Sequence, residues 1–228
     1  MGTSPSEQVT LLTDYDAASA YSTAYQTLYA NIRFNWDSER SQSHTLLFTT
    51  PATYPGRSIV AANVAIAAAQ SGISTILVDA DLRAPGLQQR FALSDTTGLS
   101  NLLASEHITL SEITAHLNQT FISNLSLIGA GTAQLEQHEA SRLLAMKLPD
   151  VLTGLFQLIA ETEDRSGLII FNSPPVLTGI DAAQISTFVE QTFLVIASGQ
   201  TTRAQARQAQ EQLQRAHAKL VGIIMLNA

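Results

Sequence analysis

Cysteine is absent from all 228 residues, which excludes disulfides, thiolate catalysis and cysteine-based zinc sites. Charge is scarce as well: charged residues make up 14% of the chain and hydrophobic ones 45%, a composition that buries a sizeable core and does not describe a disordered chain. Positive charge is in the minority, 12 Lys and Arg against 19 Asp and Glu, for a net charge of −7. Such a surface repels a phosphate backbone, so no nucleic-acid partner is expected. Docking on an anionic membrane needs a partner to supply the attraction. No apolar run approaches the ~20 residues that cross a bilayer, so no membrane span is expected. The five histidines (His44, His107, His116, His138, His217) lack metal-ligand spacing. The expectation is a cytoplasmic chain.

What is present is an alternation of short apolar runs and helical patterns. Residues 1–14 are polar and expected to be flexible. Tyr21, Tyr25, Leu28 and Ile32 then lie on one face of a helix predicted over 16–34, and 35–44 is a polar connector. Strands are predicted at Leu46–Thr50, Thr75–Asp79, Leu125–Ile128, Leu168–Phe171, Thr192–Ala197 and Val221–Leu226. Helices fall at Ser58–Gln70, as two short pieces within 98–118, at 139–163 with an interruption at Pro149, at Asp181–Val189 and over 201–217. This order implies right-handed βαβ units: an α/β fold, doubly wound, with a mainly parallel sheet and helices on both faces. No internal repeat appears, and residues 1–228 read as a single domain.

Ligands of such sheets bind beyond the carboxyl ends of the strands, so the first strand-to-helix turn carries the chemistry. It reads Thr49-Thr50-Pro51-Ala52-Thr53-Tyr54-Pro55-Gly56-Arg57-Ser58. The phosphate-binding pattern G-x-x-x-x-G-K-[ST] wraps phosphates in backbone N–H groups, reaches them with a lysine and holds Mg²⁺ with a hydroxyl. Gly56 and Ser58 stand in register with it; Pro51 and Arg57 do not match. The second strand ends in Val78-Asp79-Ala80-Asp81-Leu82-Arg83, two carboxylates at a strand's carboxyl end that suit Mg²⁺ coordination and activation of a hydroxyl. A pair in that position also serves as a plain strand-end cap. A third strand ends in Phe171-Asn172-Ser173-Pro174-Pro175-Val176, and the chain closes on Leu226-Asn227.

Together these segments resemble the kinase domain of bacterial tyrosine kinases, the BY-kinases of capsule and exopolysaccharide synthesis, within the ParA/MinD-like P-loop ATPases. The resemblance covers nearly the whole chain. Ala24–Ile32 is similar to the family's N-terminal helix, Thr49–Asn63 to its Walker A loop and helix, and Val78–Arg83 to its A′ motif D-x-D-x-R. Asn172–Val176 stands where the family has its Walker B sequence D-T-P-P-V. The resemblance implies ATP or ADP on Gly56, Arg57, Ser58 and Asn227, with Mg²⁺ on Ser58 and Asp79. Asp79 and Asp81 would be the catalytic carboxylates.

Departures from the pattern set the functional expectation. Arg57 replaces the Walker A lysine with a longer, planar cation. Pro55 removes an N–H from the loop, Tyr54 stands where the family has a small residue, and Asn172 replaces the Walker B acid. Each lost charge-assisted contact is worth about 1.5–3 kcal/mol, so two weaken Mg-nucleotide binding by a factor on the order of hundreds. The family's ring-forming Glu-x-x-Arg-x-x-Arg is Thr23, Gln26 and Tyr29, which puts family-type ring assembly in doubt. Its C-terminal tyrosine cluster has no counterpart, since no tyrosine follows Tyr54. Tyr21, Tyr25 and Tyr29 are read as a packing stripe, with phosphorylation as the alternative.

The expected function is therefore that of a catalytically impaired BY-kinase-like domain, a pseudokinase. It would regulate exopolysaccharide or capsule assembly or export through a membrane-embedded co-polymerase subunit or a paralogous BY-kinase, at the inner face of the cell membrane. The alternatives are an active autokinase or ATPase using Arg57, a ParA/MinD-like positioning ATPase, and a structural subunit that never meets nucleotide.

Overall fold

A computed structural model describes residues 11–34, 36, 43–54, 56–93, 97–162 and 166–226. Its strands are β1 (Ser43–Thr49), β2 (Ser74–Asp79), β3 (Asn118–Gln119), β4 (Leu125–Ile128), β5 (Gly167–Asn172), β6 (Gln191–Ala197) and β7 (Leu220–Leu226). They form one sheet in the order β3-β4-β2-β5-β1-β6-β7. Every pairing is parallel except that of the two-residue edge strand β3 with β4. The doubly wound expectation holds, and the central trio β2-β5-β1 brings the ends of the three motif-bearing strands side by side.

Helices α1 (Ala20–Phe34) and α2 (Ile59–Gln70) cover one face. Every residue of α2 from Ile59 to Ala69 is buried, as a helix that is apolar apart from Asn63 must be between a sheet and a second helix. Its small alanines let α1 pack over it, with Tyr25, Tyr29 and Ile32 facing the same core as Leu46, Leu77 and Ile170. The opposite face carries α4 (Leu99–Ala104), α5 (Leu110–Ala115), α6 (Gln137–Ala160) and α7 (Asp181–Ser186), packed on Leu47, Val78, Ile169 and Phe171. Helix α8 (Arg203–Arg215) closes a smaller cluster through Ala209 and Leu213.

Several expectations are corrected. The flexible stretch 1–14 is ordered where it is described: Leu11 and Leu12 are 5% and 3% exposed and sit in the core, ahead of a short 3₁₀ turn at Leu12–Asp14. Asn63 holds the segment down, its Oδ1 accepting the Leu12 N–H at 2.8 Å. Helix α1 starts at Ala20 rather than Asp16, and Ser43–His44, assigned to the connector, belong to β1. Pro149 does not interrupt α6, which runs unbroken. The lost N–H bond, worth ~3 kcal/mol in an isolated helix, is outweighed by burial of Leu144, Leu148, Val151 and Leu155 along the same stripe. Helix α6 is long and apolar enough to cross a membrane by length and composition, contrary to the reading of the sequence, but this stripe packs it on the sheet. Helix α3 (Leu87–Arg90) and strand β3 were not anticipated, being too short to show a period.

Candidate functional site

The loop after β1 is tied to the segment after β5. Val176 N–H donates to the Thr50 carbonyl at 2.8 Å and Leu177 N–H to that of Pro51 at 3.1 Å, while Thr49 Oγ1 donates to the Pro174 carbonyl. The Thr50 and Pro51 carbonyls are thereby engaged. In contrast, the N–H groups of Ala52, Thr53, Gly56, Arg57 and Ser58 donate to no other described residue. Gly56 has φ +75°, the left-handed conformation that folds successive N–H groups toward one side, and Ser58, two residues on, takes the N-cap position of α2 without a side-chain capping bond. This half of the site fits an anion such as a nucleotide's phosphates.

The carboxylates are arranged differently from a simple open pair. Register places Asp79 opposite Asn172 across the β2–β5 pairing, so these two side chains meet at the strand ends. Asn172 Nδ2 donates to Asp79 Oδ1 at 2.8 Å, and the N–H groups of Gly86 and Leu87 donate to Asp79 Oδ2 at 3.2 Å each. The Asp81 N–H adds a longer bond at 3.3 Å. Asp79 is fully buried, and burial raises its carboxyl to about 6, while Asn172, Leu87 and Gly86 work to hold it down and Asp81 pushes it further up.

Asp81 is occupied by Arg57. The guanidinium meets Asp81 Oδ2 through Nη2 at 2.5 Å and Nε at 3.1 Å, and Nη2 also donates to the Ala84 carbonyl at 3.0 Å. The same carboxylate accepts the Ala84 N–H on Oδ1. Arg57 and Asp81, read from the sequence as phosphate ligand and base, are thus brought together and spent on each other. Arg83 pairs with Asp181 at 2.6 Å and donates to the Thr178 carbonyl. Ser141 donates to the other oxygen of Asp181.

Tested against Mg²⁺, the donor set is thin. The cation takes oxygen ligands; the available ones are the Ser58 hydroxyl and Asp79, whose two oxygens already accept four N–H groups. Among the described residues no group of three His, Cys, Asp or Glu gathers as a metal site. Asn227, the expected adenine contact, lies outside the described residues, as does Pro55. Tyr54 points into the core beside α1 and is 6% exposed, its hydroxyl buried without a partner and its proton held more tightly by that burial. Residues that the sequence reading missed are Gly86, Leu87, Asp181 and Ser141. The first two act through backbone N–H groups, and Asp181 lies 98 positions from its partner Arg83, so neither shows a local pattern.

Strand order, the loop after β1 and the carboxylates after β2 define the class: a P-loop nucleoside-triphosphatase fold of the α/β type. No family model matches the chain. It is 31% identical over 207 residues to the tyrosine-protein kinase YwqD of Bacillus subtilis, covering 91% of this chain and 81% of that one. It is 26% identical to the putative tyrosine-protein kinase CapB of Staphylococcus aureus, covering 91% and 84%. The succinoglycan biosynthesis transport protein ExoP of Rhizobium meliloti matches at 25%, over 81% of this chain and 22% of ExoP. Among solved structures, the chimerical protein CapA2B2 superposes with a TM-score of 0.77 at 26% identity, covering 94% of this chain and 88% of that one. The BceF tyrosine kinase domain gives a TM-score of 0.77 at 28%, covering 96% and 83%. The Pyrococcus furiosus cell-division ATPase MinD shares the fold alone, with a TM-score of 0.61 at 19% identity over 80% of this chain and 71% of MinD. The chain belongs to the bacterial tyrosine-protein kinase family associated with capsule and exopolysaccharide synthesis.

Proposed function

We infer that this member is catalytically impaired and acts as a regulator of capsule or exopolysaccharide chain assembly. The observation that carries the reading is the pair of internal contacts at the strand ends: Asn172 donating to Asp79, and Arg57 clamped on Asp81 and the Ala84 carbonyl. In a phosphoryl-transfer site, positioning and electrostatics supply almost all of the catalysis. Bound Mg²⁺-nucleotide supplies the transferable phosphoryl group. This chain would hold the phosphates with Gly56, Arg57 and Ser58 and would present Ser58 and Asp79 to the metal. Arg57 reaches a phosphate only by leaving Asp81, and Asp81 accepts a proton only once Arg57 has left. One charge-assisted fork therefore opposes both roles.

The partner in this reading is a membrane-embedded co-polymerase subunit or an active paralogous kinase, which would hold the chain at the inner face of the cell membrane. The match to one segment of the larger ExoP supports it. A second reading, a working autokinase that uses Arg57, draws support from the open N–H groups around Gly56. Titration with a labelled ATP analogue and Mg²⁺, followed by turnover, separates the two. Weak, largely Mg²⁺-independent binding without turnover is expected. Submicromolar Mg²⁺-dependent binding, with turnover abolished by Asp79→Ala, overturns the impaired reading.

A further inference from the structure

The two edges of the sheet differ. At one, β3 has two residues and offers little to pair with; at the other, β7 runs from Leu220 to Leu226 without a charge or a proline. Among the described residues β7 pairs with β6 alone. Short strands, edge charges, prolines and bulges are the usual means of closing a sheet edge, and the irregularity of β7 lies at its start, between Leu220 and Gly222. The Leu226 carbonyl accepts the Ser198 N–H on the β6 side, so the alternation of a strand turns the N–H and C=O groups of Ile223 and Met225 outward. These two residues are 52% and 65% exposed, and Val221 is 37% exposed. Ile223 and Met225 pair with Leu194 and Ile196, on the face that α8 covers.

Charge around this edge runs against that of the chain. Residues 191–226 hold Arg203, Arg207, Arg215 and Lys219 against the single acid Glu211, a net +3, while the rest of the chain carries −10. Because β6, α8 and β7 form a parallel crossover, α8 runs opposite to β7 and its first turns lie toward the strand's carboxyl end. Gln212 ties one flank of α8 inward, donating to the Val176 and Gly179 carbonyls. By the period of the helix, Arg203 and Arg207 occupy the opposite flank, toward β7. Arg207 meets Glu211 at 3.0 Å, but with side chains 81% and 44% exposed that pair is worth little. Lys219, exposed, stands where the chain enters β7. The apolar edge is thus bracketed by positive charge at both ends.

We propose that β7 is a docking edge for an extended segment of a partner protein, apolar in its middle and acidic at both ends, which joins the sheet as an additional strand. Main-chain pairing to Ile223 and Met225 supplies affinity; their side chains and the flanking cations supply selection. A second copy of this chain fits less well, because two β7 strands laid side by side in either direction set positive charge against positive charge. The proposal rests on the regulatory reading for the existence of a partner and on none of the residues around Asp79.

The full chain, without nucleotide, is titrated against a short fluorescent peptide whose centre alternates valine and threonine and whose ends are glutamates. Two control peptides carry lysine in place of glutamate, or N-methyl groups throughout the centre. We expect micromolar binding of the acidic peptide that falls at least about tenfold when salt rises from about 0.05 M to about 0.5 M, and at least about tenfold weaker binding of both controls. Ile223→Lys blunts the edge while adding attraction for acid; Arg203→Glu with Arg207→Glu reverses the flank. Each lowers affinity at least about tenfold and, all three positions being exposed, leaves the melting temperature within about 3 °C of the parent. No binding of the acidic peptide, binding that either variant leaves unchanged, or equal binding of either control overturns the proposal. Dimerisation of the chain alone in sedimentation, abolished by Ile223→Lys, overturns it in favour of a second copy. Binding to phosphatidylglycerol vesicles in place of the peptide, lost in the same variant, overturns it in favour of a membrane. ATP turnover would refute catalytic impairment and leave the docking edge standing, whereas a failed peptide titration refutes the edge alone.

Discussion

Asn172→Asp restores an acid at the end of β5 and puts the electrostatic argument to its sharpest test. The new carboxylate would face Asp79 at the present amide-to-carboxylate separation of 2.8 Å, with both positions nearly closed to solvent at 4% and 0% exposure. Losing the amide removes a hydrogen bond to a charged group, about 1.5–3 kcal/mol. Two bare carboxylates about 3 Å apart at an effective dielectric near 20 repel by about 5 kcal/mol, which the pair escapes by keeping one proton. Asp79 already titrates at about 6, so the pair holds that shared proton near neutrality and loses it as pH rises further. The net destabilisation without metal is about 2–4 kcal/mol at neutral pH, or roughly 5–15 °C in melting temperature for a domain of this size. Mg²⁺ then binds between the acids and, at about a hundred times its Kd, returns about 2.7 kcal/mol. Denaturant melts in EDTA and in Mg²⁺, for parent and variant, measure all of this. A variant as stable as its parent in EDTA, or equal Mg²⁺ stabilisation of both proteins, refutes the reasoning.

The raised pKa of Asp79 also predicts a pH dependence in the parent. The folded value of about 6 lies above the ordinary 3.8, so this group's contribution is fully present below 3.8 and is lost as pH rises through 6, of order 3 kcal/mol at most. Asp79→Asn, with Asn172 turning its amide so that its Oδ1 accepts from the new amide nitrogen, should flatten that slope in urea melts taken across pH 4–7. Arg57→Lys gives up the two-pronged grip on Asp81 and should cost about 1–2 kcal/mol in the absence of nucleotide, while tightening ADP binding in calorimetry. Unchanged ADP affinity would show that the Asp81 contact does not hold the cation away from phosphate. Tyr54→Phe deletes a buried hydroxyl that has no partner and should leave stability equal or raise it by about 1 kcal/mol; a loss above that amount in the same melts contradicts the unpaired assignment.

Composition and periodicity by themselves determined the layered α/β architecture, because fully buried parallel strands must be continuous apolar runs such as Leu168–Phe171, and those runs are visible locally. The candidate residues Gly56, Arg57, Ser58, Asp79, Asp81 and Asn172 were also legible, since each sits at a strand end or at the helix start beside one. Tertiary structure alone decided what they do to one another. Register set Asn172 against Asp79, and the reach of a guanidinium carried Arg57 onto a carboxylate 24 positions away. It was likewise packing, through Asn63 and the core under α1, that fixed Leu11 and Leu12 at the start of the described residues. These outcomes depend on distances between segments remote in sequence, and a one-dimensional pattern does not carry those distances.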